Sequence, residues 1–185
     1  MPREIDPDVQ ILANVAGWLK SDYVKEGAAD PWFGSPFAWI KTRPSRQIGK
    51  IGEQLVASWC AAKKLDVTKS PDSEADRVIG RKRVEIKFST LWENGGYTFQ
   101  QIRDQNYEIC VCLGVSPFSA HCWVLPKSVL RQHVIGHRPQ HGGKAGSDTS
   151  WLQIPEPGLP ETWLKDWGGT LPEAFQILKR LATAK

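Results

Sequence analysis

Long apolar runs are missing from this chain. None of its 185 residues belong to a stretch able to span a bilayer, so no membrane-spanning helix is expected. The opening residues, Met1-Pro2-Arg3-Glu4-Ile5-Asp6, hold no apolar segment of a secretory signal, and a cytoplasmic location is expected. Cysteine is scarce. Cys60, Cys110, Cys112 and Cys122 sit in apolar surroundings without zinc-knuckle spacing, so they read as reduced, buried thiols rather than disulfides or metal ligands. Acidic residues are absent from two stretches. Residues 41–50 carry Lys41, Arg43, Arg46 and Lys50, and residues 127–144 carry Lys127, Arg131, Arg138 and Lys144 with His133, His137 and His141. Acid-free basic stretches suit a polyanion, although solvated surface accounts equally for either one alone. Neither sparse apolar residues nor excess charge points to disorder, because hydrophobic residues make up 41% and charged residues 24%. A single domain over residues 1–185 is expected, with room for a sizeable core.

Several elements can be read along the chain. Asp6-Pro7 caps a first helix to about residue 24, with Ile11, Leu12, Val15 and Leu19 at helical spacing. A Gly/Pro-rich loop comes next, and its Trp32, Phe33, Phe37 and Trp39 are too aromatic for full solvation. A second helix is expected from about 45 to 64. Ile48, Ile51, Leu55 and Trp59 form its buried stripe, Gly49 and Gly52 allow close approach, and Glu53 stands at the margin. A short strand near 66–69 precedes a hairpin over 73–79 and 83–90. Residues 97–105 read either way, and Phe99, Ile102 and the Gln-Gln-Ile-Arg-Asp-Gln run favour a short helix there. The apolar run 107–115 reads as a central strand buried on both faces, and 120–125 as its neighbour. A helix over 127–134, an apolar stretch at 151–154 and a final helix opened by the capping box Thr170-Leu-Pro-Glu173 complete the pattern.

Chemistry concentrates in Asp76-Arg-Val-Ile-Gly-Arg-Lys-Arg-Val-Glu85-Ile86-Lys87. Gly80 supplies a turn between two β-branched runs. Side chains alternate along a strand, so Glu85 and Lys87 share a face that Asp76 on the neighbouring strand can reach. Two carboxylates can hold a hard divalent cation through oxygen, and an amine can orient water or offset charge on a phosphate. The plain alternative is an exposed cross-strand Glu–Lys pair beside an unrelated Asp, stabilising by about 0.2–1 kcal/mol.

The helix, strand, hairpin and Glu-x-Lys order over residues 45–125 resembles the PD-(D/E)xK nuclease superfamily, most of all its small type II restriction endonucleases. The resemblance implies an α/β fold of α-β-β-β-α-β order around a mixed sheet flanked by helices. Residues 1–44 would be an N-terminal helix and aromatic loop, and 126–185 a C-terminal extension. Glu53 would take the place of the acid on the first core helix, Asp76 that on the second strand, and Glu85-Ile86-Lys87 the third-strand motif. Ala75-Asp76 is preferred to Pro71-Asp72, which lies outside the expected strand. The same resemblance implies a Mg²⁺-dependent endonuclease of double-stranded DNA, with Mn²⁺ able to substitute. Asp76, Glu85 and the Ile86 carbonyl would hold the metal, Lys87 would orient the attacking water, and Glu53 would act through a water or a second metal.

Backbone phosphates would be met by Lys41, Arg43, Arg46 and Lys50, by Arg81, Lys82 and Arg83 in the hairpin turn, and by His141 and Lys144 in a glycine loop. Cutting both strands calls for two sites, hence a homodimer or one subunit of a heteromer. A structure-specific or repair nuclease of the same fold, or a non-catalytic DNA-binding or assembly subunit, is the alternative.

Overall fold

The computed structural model describes residues 14–15, 30–138 and 149–184. The expected first helix, His141 and Lys144 lie outside them, apart from Asn14 and Val15, which are helical. The chain divides into Met1–Phe33 and Gly34–Lys185, and the sheet and its core belong to the second unit.

After a 3-10 turn at Ala38–Thr42, the second unit contains α1 (Ser45–Ala62), β1 (Val67–Lys69), β2 (Arg77–Ile79), β3 (Lys82–Thr90), β4 (Tyr97–Ile102), β5 (Ile109–Val115) and β6 (Ala120–Pro126). Then come α2 (Lys127–His133), β7 (Ser150–Ile154), α3 (Thr162–Lys165), β8 (Gly168–Thr170) and α4 (Leu171–Thr183). Six strands form a mixed sheet in the order β1-β2-β3-β5-β6-β8, and β4 pairs with β7 in a separate two-stranded sheet. Among the described residues only β3 and β5 run parallel; the other pairs are antiparallel.

Every residue of β5 is buried, as its unbroken apolar run requires of a strand covered on both faces. Cys110 and Cys112 face a cluster with Tyr97, Phe99, Trp123, Leu130 and Leu152. Ile109, Val111 and Leu113 face the opposite cluster, with Val56 and Cys60 of α1 and Ala174 and Leu178 of α4. The layers are therefore two helices, the six-stranded sheet, and the β4–β7 ribbon with α2. The Thr170–Glu173 capping box forms as expected at the start of α4.

Two expectations fail. Residues 97–102 form strand β4, not a helix, so the expected α-β-β-β-α-β order is not met between β3 and β5. Phe99 pairs with Leu152 and Ile102 with Ser150, so three steps on β4 match two on β7. This bulge returns Phe99 and Ile102 to one buried face, and in sequence it imitates helical spacing. The buried stripe of α1 is also rotated by one position. Gly52, Val56 and Cys60 are buried, whereas Ile48, Ile51, Leu55 and Trp59 are only partly covered. The helix settles on its least bulky line because Gly52 touches Phe88 of β3. The short α3 and β8 carry too few residues to show a period, so the sequence pattern does not reveal them.

A methyl group at Gly52 would overlap the Phe88 side chain, whereas one at Gly49 meets nothing within 4 Å. Gly52→Ala should therefore cost about 1–3 kcal/mol through overpacking. Gly49→Ala should add roughly 0.5–1 kcal/mol by stiffening the helix. Urea unfolding of the two variants should show midpoints displaced in opposite directions from the parent.

Candidate active site

Strand β2 is only three residues long and pairs with β3 from Ile79–Lys82 to Arg77–Val84. The backbone of Asp76 adds one more bond, its N–H donating to the Val84 carbonyl at 3.0 Å. Beyond that point no strand among the described residues pairs with β3 on this edge, and a bare amide would be left. The Asp76 carboxylate takes that place: the Ile86 N–H donates to Asp76 Oδ2 at 2.7 Å. Asp76 is thereby held half-buried at the sheet edge. Within a strand the N–H and C=O of one residue point to the same edge, so the Ile86 carbonyl opens toward it as well.

Glu85 and Lys87 share one face, as their spacing requires, and the Lys87 ammonium lies 2.8 Å from Glu85 Oε1. Both are largely withdrawn from water, with side-chain exposures of 10% and 16%. Burial raises the Glu85 carboxyl above its ordinary range; Lys87 opposes the rise, and nearby Asp76 adds to it. Burial pulls the Lys87 ammonium down, but the charge and hydrogen bond of Glu85 outweigh it and hold the group above the ordinary lysine value. Lys87 is therefore a cation at neutral pH and a donor.

Glu53 approaches from α1. Its carboxylate lies 3.4 Å from Arg77, whose guanidinium also donates to the Asp76 carbonyl. Burial raises Glu53, Asp76 raises it further, and Arg77 works against both. A cleft of about 650 Å³ opens where the helix passes the uncovered strand edge. Glu53, Asp76, Glu85, Ile86 and Lys87 all line it, together with Arg46 near the start of α1. Thus the four side chains and one carbonyl singled out in sequence converge.

Three carboxylates, two of them with raised proton affinity, form a set rich in hard oxygen. That chemistry fits a hard divalent cation. Among the described residues, no three His, Cys, Asp or Glu side chains gather tightly enough to cage an ion by themselves. A cation here would complete its shell with backbone oxygen and water, as Mg²⁺ commonly does.

The basic residues divide. Arg46 lines the cleft, and Lys41, Arg43 and Lys50 are exposed on the 3-10 turn, the loop after it and α1. The hairpin turn is not brought to the cleft: Gly80 and Arg81 abut Ala182 at the end of α4. Lys82 is paired with Glu108 at 3.0 Å and Arg83 with Asp72, so only Arg81 of that trio is fully exposed. The four cysteines do not converge, because Cys60 and Cys122 face the helical layer and Cys110 and Cys112 the ribbon. Burial pushes the Cys60 thiol up to about 12.

Sequence reasoning missed the far wall of the cleft, formed by Ser89, Thr90 and Trp92 after the motif and Thr98, Gln100 and Gln101 of β4. The Thr98 N–H donates to Ser89 Oγ at 3.2 Å, which ties that wall to the end of β3. The bulge hides the signal, because it makes the segment read as a helix.

No family model and no curated protein matches the chain. Among solved structures, its fold is similar to that of a bacterial homing endonuclease, I-Ssp6803I. The TM-score is 0.51 at 16% identity, over 75% of this chain and 94% of that one.

Removing Lys87 leaves Glu85 buried without its cation, which raises its carboxyl further. A carboxyl raised in the folded state costs stability as pH climbs through and above its unfolded value. Lys87→Ala should therefore lose more stability at pH 8 than at pH 5, by up to about 3–5 kcal/mol at the higher pH. Urea midpoints at the two pH values measure the difference.

Proposed function

We propose that this chain is a metal-dependent endonuclease hydrolysing phosphodiester bonds in double-stranded DNA, and that it belongs with the PD-(D/E)xK enzymes. The observation that carries the proposal is the meeting of Glu53, Asp76, Glu85 and Lys87 at an uncovered strand edge in an open cleft. The fold shared with a protein described as a homing endonuclease supports it.

Asp76, Glu85 and the Ile86 carbonyl are the groups that would hold Mg²⁺, with Mn²⁺ as a substitute. The ion would supply a more acidic water and charge neutralisation at phosphorus. Lys87, kept protonated by Glu85, positions the attacking water and offsets charge that grows on the phosphate oxygens. Glu53, with its raised carboxyl, takes a proton through a water. Attack in line with the leaving oxygen needs the strand fixed in register, which Arg46, Lys41, Arg43 and Lys50 provide through phosphate contacts. Sequence-specific cutting of the restriction type is the favoured reading, with two copies or a partner subunit serving the two strands.

The test incubates the protein with unmethylated plasmid and phage DNA, in Mg²⁺ or EDTA, beside Asp76→Ala. Discrete fragments that need Mg²⁺ and vanish in the variant are expected. Nicking or a smear that still needs Asp76 would favour a structure-specific nuclease. DNA binding without cleavage would leave the assembly-subunit reading. Lys87→Ala should lower the cleavage rate by about 10²–10³-fold or more. Mg²⁺ should also raise the melting temperature of the parent, because a ligand of the folded state alone stabilises it, and it should leave Asp76→Ala unmoved.

A further inference from the structure

The far wall of the cleft has a feature that catalysis by the carboxylates does not use. Gln101 has φ of 56°, a left-handed conformation that residues other than glycine seldom adopt. It sits within the β4 bulge between Phe99 and Ile102. Both flanking side chains are fully buried, and β7 fixes the strand on one side. The bulge thus turns Gln101 outward into solvent while Gln100 stays half-buried, and both line the cleft that holds Asp76 and Lys87. Trp92, in the tight turn after β3, lines the same cleft with 47% of its surface exposed. Bulges next to active sites serve to re-aim side chains, and a strained backbone persists where its surroundings impose it.

We infer that Gln100, Gln101 and Trp92 form a base-reading wall, which makes cleavage depend on the base pair beside the scissile phosphate. A carboxamide offers a donor and an acceptor side by side, and this pair matches the N6 and N7 edge of adenine. The exposed indole offers a flat apolar face for a sugar or an unstacked base. Phosphate contacts alone carry no sequence information, so this wall supplies what the basic residues cannot. The inference rests on the nuclease reading and names the residues that give it specificity.

The test pairs cut-site sequencing on randomised duplex DNA in Mg²⁺ with selection of bound duplexes in Ca²⁺. It uses the parent, Gln100→Ala and Gln101→Gly. The parent should prefer one base pair within a step or two of the cut. Gln101→Gly should lose that preference by roughly 5- to 150-fold, the range for one bidentate base contact. Glycine accepts the left-handed backbone, so the melting temperature of this variant should be no lower than the parent's. Lost discrimination at undiminished stability is not what a merely structural residue would show. A parent that cuts with no base preference, or a Gln101→Gly protein that keeps the parent's preference, overturns the inference and leaves the nuclease reading standing. A parent that neither cuts nor binds duplex DNA removes both.

Discussion

One backbone amide organises this site. The Ile86 N–H lies on an edge of β3 that β2 is too short to cover, and the Asp76 carboxylate accepts it. An unpaired edge amide would cost free energy and would also invite another strand. Satisfying it with a side chain keeps the edge open to a ligand while holding a carboxylate in register with Glu85. Glu53 lines the same opening, since α1 packs on β3 through Gly52 and Phe88.

Stability is given up locally for this arrangement. Glu85 and Lys87 are withdrawn from water, and their mutual attraction only partly offsets the cost of burying Glu85, whose carboxyl remains raised. Replacing such a buried pair by apolar residues of similar volume is often neutral or stabilising. On the proposed function, the cost of this charged trio beside a half-buried Glu53 is met for chemistry rather than for scaffolding. The cost is carried by the layers around it. The fully buried β5 and the two clusters on its faces supply the apolar burial that offsets the charge and strain concentrated in the cleft.

Much of the site was legible in sequence because strand periodicity is local. Glu85 and Lys87 had to share a face at a spacing of two, and Gly80 marked the turn that returns the chain beside Asp76. The continuous apolar run of β5 and the capping box of α4 were legible for the same reason, each being written within ten residues. The far wall was not. Phe99 and Ile102 three apart suit a helix until β7, some fifty residues downstream, imposes a bulged pairing on them. The rotation of α1 was hidden likewise, because it depends on which line of the helix fits against Phe88 rather than on which line is most apolar.

The sequence by itself determined the alternation that aligns Glu85 with Lys87, the turn at Gly80, the burial of β5 and the capping of α4. Each comes from backbone geometry acting over a few neighbours. Only the tertiary structure decided that Asp76 would take over an edge hydrogen bond and that Glu53 would face the same opening. It also decided that Lys82 and Arg83 would pair with Glu108 and Asp72, and that Gln100 and Gln101 would close the opposite wall. Asp76 with Ile86 and Arg83 with Asp72 meet within one hairpin, 10 and 11 residues apart, and the others join segments far apart in the chain. Their partners are chosen by packing and by the need to satisfy buried polar groups, and neither has a period that can be read along a sequence.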